Sequence, residues 1–160
     1  MTEWIRVGMA ELKVGKAPAK IITLGLGSCI GVCAYNTTLK VGGIAHIMLP
    51  DSSLGIGTIN QAKFADTAIP LLIEQLESQG AIKEQIIVRI VGGAEMFSAS
   101  GQNVHLGVGE RNIIAVEEIC RRLNLVLSAK STGGHAGKSV TLDLNTGVIE
   151  IKSMSSTFIL

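Results

Sequence analysis

The chain has 160 residues, a formal net charge of +1, 47% hydrophobic residues and only 17% charged ones. That length can bury a self-sufficient core and that composition excludes disorder, so one domain over 1–160 is expected. Scattered basic residues and scarce aromatics exclude a nucleic-acid partner and a membrane-surface patch.

Met1-Thr2-Glu3-Trp4-Ile5-Arg6 lacks the basic region and apolar run of a secretion signal. Gly, Pro or charge interrupts every later apolar run before it reaches a membrane span. The expectation is a cytoplasmic protein without membrane insertion. Three cysteines, an odd number, then read as reduced thiols, and a free thiol can serve as a nucleophile.

In chain order, Glu11 to Val14 alternates weakly, and Ile21 to Leu26, Gly31 to Tyr35 and Val41 to Met48 are strand-like runs. Asn36 to Lys40 reads as a hairpin turn between the last two. From Asn60 to Leu76 the period becomes helical, with Ala65, Ala68, Ile69, Leu72, Ile73 and Leu76 on one face and Gly80 as the stop. Pro70 inside that pattern predicts a kink, because its ring clashes with the carbonyl of Asp66. Gln85 to Val91 is a β-branched run and reads as a buried strand. A second helix is expected from about Glu110 to Leu123, with Ile113, Ile114, Val116, Ile119, Cys120 and Leu123 as its apolar set. Val126 to Ala129, Val140 to Leu144 and Val148 to Ile151 close the chain as strands, the last two joined as a hairpin through Asn145-Thr146-Gly147. Two helices among many strands, without regular βαβ alternation, predict an α+β domain with a mixed, largely antiparallel sheet.

Two glycine-rich stretches imitate nucleotide-binding loops. Gly25-Leu26-Gly27-Ser28-Cys29-Ile30-Gly31 has the wrong spacing for a dinucleotide fingerprint, and a strand follows where that motif needs a helix. Thr132-Gly133-Gly134-His135-Ala136-Gly137-Lys138-Ser139 lacks the first glycine of a P-loop, and it too runs into a strand. Both read as tight loops between strands.

Cys29 sits in a glycine-flanked turn where small neighbours admit a substrate carbonyl. Backbone N–H groups freed at Gly27, Ser28 and Ile30 are candidates for holding an oxyanion and walling the site. The competing reading is that free cysteine is commonly a small core residue. His46 alternates onto the same face as Ile44 and Met48, as either a hydrogen-bonded core histidine or a desolvated general base. Thr23 can accept a hydrogen bond from its second ring nitrogen, or be a plain β-branched strand residue. A zinc site built on Cys29, Cys33 and His46 is disfavoured: four residues of extended strand separate the sulfurs by about 13 Å. Neither metal nor cofactor is expected. Cys33 and Cys120 read as core, and His105 and His135 as loop histidines with no nucleophile beside them in sequence.

Taken together, Thr23-Leu24-Gly25-Leu26-Gly27-Ser28-Cys29-Ile30-Gly31-Val32 and Gly42-Gly43-Ile44-Ala45-His46-Ile47-Met48-Leu49-Pro50 resemble the chemoreceptor glutamine deamidase family, CheD. Phe64-Ala65-Asp66-Thr67-Ala68-Ile69-Pro70, Gly92-Gly93-Ala94, Met96-Phe97, Gly109-Glu110-Arg111-Asn112, Gly133-Gly134 and Thr146-Gly147 continue it in the family's order, over roughly residues 7–152. Glu95, Ser131 and Lys138 depart from the residues common at those positions. The resemblance implies a β-sandwich with flanking helices, similar to bacterial toxin-type cysteine deamidases. It implies Cys29 as nucleophile, His46 as base and acid, and Thr23 as third member of a triad. The implied substrates are glutamines on the cytoplasmic helices of methyl-accepting chemotaxis receptors, turned into glutamates through a thioester with release of ammonia. A CheC-type response-regulator phosphatase is an implied partner. The alternatives kept open are a non-catalytic or dual-role adaptor that binds such a phosphatase, and a different cysteine hydrolase such as a receptor methylesterase.

Overall fold

The computed structural model describes residues 2–96, 107–154 and 156–160. Along these the chain forms β1 (Glu3–Val7), β2 (Leu12–Lys16), β3 (Ala19–Leu26), β4 (Ile30–Asn36), β5 (Val41–Ile47), α1 (Ala65–Ser78), β6 (Ile86–Gly92), α2 (Val108–Arg122), β7 (Val126–Thr132), β8 (Lys138–Asp143), β9 (Ile149–Ser153) and β10 (Ser156–Ile159). Phe97 and His105 lie outside the described residues.

The strands pair into two five-stranded sheets, ordered β1-β3-β8-β9-β10 and β2-β5-β4-β6-β7. The pairs β1/β3 and β6/β7 are parallel and the other six antiparallel, the mixed arrangement the sequence predicts. The parallel pair β6/β7 is bridged by α2, the one βαβ unit among the described residues.

Three layers result, each held by apolar burial. Val7, Ile21, Leu26, Ile44, Val140, Leu142 and Ile151 fill the space between the two sheets. Ile30, Val32, Ala45, Ile47, Leu72, Leu76, Ile90 and Val116 form a second cluster between the β2-β5-β4-β6-β7 sheet and both helices. The two helices therefore share one side of the sandwich. Every residue of β4 and β5 is buried, because both of their faces are covered. That is why these strands carry near-continuous apolar runs rather than alternation.

Each helix ends in a Schellman turn. In α1, Ala81 N–H donates to Leu76 and Gly80 N–H to Glu77, with Gly80 at φ +97°. In α2, Leu125 donates to Cys120 and Asn124 to Arg121, with Asn124 at φ +54°. Helix α1 starts at Ala65, later than the periodicity predicts. The carbonyl of Lys63 accepts the N–H groups of both Met48 and Leu49, and Leu49 bridges to Phe64, which holds residues 60–64 out of the helix. The helix runs on through Pro70, whose ring lies on the exposed face. In α2 the apolar set is narrower than expected: Ile114 is 49% exposed, about 100° round the helix from Ile113.

Both glycine-rich stretches are strand-to-strand loops, one between β3 and β4 and the other between β7 and β8. Strands β1 and β10 went unread in the sequence. β1 pairs with β3 and β10 ends its sheet beside β9; β10 is exposed throughout and β1 buries Val7 with Ile5 half-buried, so neither carries an apolar pattern of strand length. No helix among the described residues is long and apolar enough to cross a membrane.

Candidate functional site

The candidate residues converge in the layer between the sheets. His46 lies on β5, where its Cα is paired with Gly31 of β4. Its N–H donates to Glu11 and its carbonyl accepts from Ala10, so the backbone is held on both sides. Gly31 contributes no side chain opposite the imidazole, and Leu26 and Val140 close over the space a Cβ would take. Cys29 lies two residues before Gly31 and packs in the same inter-sheet cluster as Ile44 and Met48. Cys29, in the turn just before β4, thus continues the β4 register to a position diagonal to His46.

Thr23 comes from the facing sheet. Its Oγ1 lies 2.7 Å from His46 Nδ1 and donates to the carbonyl of Val7 at 2.8 Å. A hydroxyl has one proton, and Val7 takes it, so the bond to the ring must run from Nδ1–H to Oγ1. The neutral tautomer therefore carries its lone pair on Nε2. That atom is buried and has no hydrogen-bond partner among the described residues, the Cys29 thiol included. Geometry thus makes the threonine hydroxyl, rather than a backbone carbonyl, the group that orients the ring.

Burial sets both ionisation states in the same direction, toward neutrality. Desolvation holds His46 below the ordinary imidazole value of 6.5. Desolvation also pushes the Cys29 thiol above its ordinary 9.0, a shift partly offset by a hydrogen bond with its own backbone N–H. The resting pair is a thiol and a neutral imidazole. It is not a preformed thiolate–imidazolium pair. His46 is fully buried, whereas Cys29 keeps 9% exposure and is the member that solvent reaches.

The turn carrying Cys29 is fixed carbonyl by carbonyl. Gly27 O accepts from Ala94 N–H and Cys29 O from Gly93 N–H, both at 2.9 Å. Ser28 O accepts from Asn112 Nδ2 of α2 at 2.9 Å. The close approach needs glycine at Gly92 (φ +116°), where a Cβ would collide with the Cys29 carbonyl oxygen. Gly27 and Ser28 are half-buried beside the thiol. Ile30 turns its side chain into the helix-side cluster, so only its backbone is available to the site.

Of the other expected residues, Cys33 and Cys120 are core, with thiols pushed up to about 12 and about 11 by burial. His135 is exposed, its Nδ1 2.9 Å from the carbonyl of Glu95, whose own N–H donates to Gly134 O. Asn112 escaped the sequence reading as a site residue. It is fully buried on the apolar stripe of α2, one turn before Val116, and a polar residue inside such a stripe is the signal that could have found it. Its Nδ2 also donates to Met48 O at 3.0 Å. Of the three departures from the family pattern, Glu95 Oε1 accepts from Glu110 N–H at the start of α2, and Lys138 Nζ donates to Ser131 Oγ at 2.9 Å.

Comparison with known proteins gives a consistent picture. The family model described as CheD chemotactic sensory transduction matches residues 48–153. A probable chemoreceptor glutamine deamidase CheD of Syntrophomonas wolfei is 43% identical over 96% of this chain and 96% of its own length. Proteins of the same name from Clostridium botulinum strain Hall and Clostridium novyi are 45% and 41% identical, each over 94% of this chain and 93% of their own length.

Proposed function

The chain belongs to the CheD family, and from that premise we propose that it is a chemoreceptor glutamine deamidase, one catalytic domain acting in the cytoplasm on receptor glutamines. The observation that carries this reading is the directed chain from His46 Nδ1–H to Thr23 Oγ1 to Val7 O, which leaves Nε2 as a free, neutral base in the layer shared with Cys29.

In the proposed reaction, Cys29 Sγ attacks the side-chain carbonyl carbon of a glutamine while its proton passes to His46 Nε2. Backbone N–H groups around Gly27, Ser28 and Ile30 are the candidates to face the oxyanion. Collapse of the tetrahedral adduct breaks the C–N bond, and imidazolium returns the proton to the departing nitrogen as ammonia. Water, deprotonated by the same Nε2, then adds to the thioester and restores the thiol, leaving glutamate. Thr23 orients the ring but carries no charge, so it steadies imidazolium less than a carboxylate does.

Exposed Leu24 and Met96 flank the Cys29 turn, and a Cβ on Gly27 would lie 3.1 Å from Met96 Cγ. They offer apolar contact to a helix of the receptor or of a CheC-type phosphatase. If both use this mouth, the two compete, and simultaneous binding refutes overlap.

The test is mass spectrometry of a receptor cytoplasmic fragment incubated with the protein. Each deamidated glutamine gains about one dalton as amide becomes acid. Cys29→Ala is expected to abolish both that gain and ammonia release while retaining the fold. A folded Cys29→Ala protein with undiminished activity would end the proposal.

A further inference from the structure

Asn112 is held in the helix-side half of the molecule, yet both of its amide protons leave for the site. One goes to Ser28 O, directly before Cys29, and the other to Met48 O, two residues after His46. We infer that Asn112 is a positioning residue for the deamidation, a crosspiece on α2 that fixes the Cys29 turn relative to the end of the His46 strand. The inference rests on the deamidase reading and names a residue through which that site is aligned.

Three features of the surroundings single it out. The carbonyls of Gly27 and Cys29 are held by main-chain N–H groups of Ala94 and Gly93, which any residue type would supply. Among the described residues, the carbonyl between them is the one held by a side chain. Second, among the described residues that is the side chain whose hydrogen bonds join the nucleophile turn to the chain following β5; the direct ladder between β4 and β5 begins only at Ile30 and Ile47. Third, the arrangement is costly. Asn112 is fully buried, its Oδ1 has no partner among the described residues, and it occupies a helix stripe otherwise made of Gly109, Ile113, Val116 and Cys120. An apolar side chain there would avoid an unpaired buried acceptor. Local rules broken in this way are expected where geometry serves chemistry.

Alignment matters because Cys29 and His46 share the layer without a hydrogen bond between Sγ and Nε2. The proton must cross a gap set by how the two backbones are spaced, and Asn112 ties those backbones where the strand ladder has run out.

The test compares Asn112→Asp, which keeps the shape and loses the donors at neutral pH, with Asn112→Ala, the variant to rely on where the buried carboxylate prevents folding. Two readouts are taken: kcat and KM for ammonia release from the receptor fragment, and the pH profile of Cys29 alkylation by iodoacetamide. A misalignment on the order of 1 Å lowers kcat by about 10², with KM within about threefold. The alkylation rate near neutral pH is expected to fall toward that of His46→Ala, because a neutral imidazole helps only by taking the thiol proton. Placed in a His46→Ala background, the Asn112 substitution is expected to lose its effect on alkylation, since no base remains to be aligned. A fall in Tm with wild-type kcat and an unmoved alkylation profile, or an equal effect in both backgrounds, overturns the inference. If wild-type protein releases no ammonia at all, the deamidase reading fails, while the alkylation profile still tests the role of Asn112.

Discussion

The layer between the sheets holds two cysteines, Cys29 just before β4 and Cys33 four residues on within it, and their surroundings differ in an instructive way. Cys33 is paired in register with Arg89, so a guanidinium sits beside its sulfur. Positive charge favours a thiolate, yet burial wins and the thiol is pushed up to about 12. Arg89 instead serves the fold, donating through Nη2 to the carbonyl of Gly147 at 2.6 Å, while Tyr35 Oη donates to Leu144 O at 2.7 Å. At the Cys29 end no charged group among the described residues acts on the thiol. A neutral base with an open lone pair takes its place, oriented by a hydroxyl whose proton is committed elsewhere. Within one apolar layer, a proton acceptor and a path to solvent distinguish a usable thiol better than a neighbouring cation does.

The largest expected effect is the contrast in thiol labelling. Iodoacetamide added to the native protein near neutral pH is expected to modify Cys29 and leave Cys33 and Cys120 untouched until denaturant opens the core, as read by peptide mass mapping. Labelling of native Cys33 at a rate comparable to Cys29 would erase the difference between the two ends. Next comes the hydroxyl. Thr23→Val keeps the shape and removes the acceptor for Nδ1–H, freeing the ring to turn and leaving a buried N–H unpaired. We expect kcat to fall about tenfold to a hundredfold, the range of a misplaced catalytic group, with Thr23→Ser retaining most activity. Equal kcat in Thr23→Val and wild type would mean that packing alone holds the imidazole.

Much of this site was readable from the chain because its parts are local. The glycine-flanked cysteine, the apolar strand bearing a histidine, and the helical periods of α1 and α2 are patterns within a few residues. What escaped is what arises between elements. The sequence offers Thr23 as the acceptor from His46, but no spacing along the chain announces that Val7 will take the hydroxyl's proton. Asn112 enters the sequence reading only as part of Gly109-Glu110-Arg111-Asn112, and its two partners lie 84 and 64 residues away. The outer strands β1 and β10 were invisible for the opposite reason: β10 is exposed along its whole length and β1 fully buries Val7 alone, which leaves too short an apolar alternation to recognise.

The smallest effect is on stability, and its sign follows from burial of the imidazole. In the unfolded chain the histidine titrates near 6.5, whereas in the folded protein desolvation holds it lower. Between those two values the unfolded state binds a proton that the folded state does not, so folding stability rises with pH there and is lost as pH falls below 6.5. The slope contributed by this one group is about 1.4 kcal/mol per pH unit until the folded value is reached, after which it levels. At the other end of the layer Arg89 stays charged throughout, so it adds no slope in this range. Urea titrations at stepped pH on wild type and His46→Gln therefore sharpen the contrast: the variant is expected to lose the slope just below 6.5, while Tyr35→Phe, which removes the bond to Leu144 O, lowers stability equally at every pH. A slope that survives in His46→Gln would assign the acid sensitivity to some other group and take His46 out of the neutral state on which proton transfer from Cys29 depends.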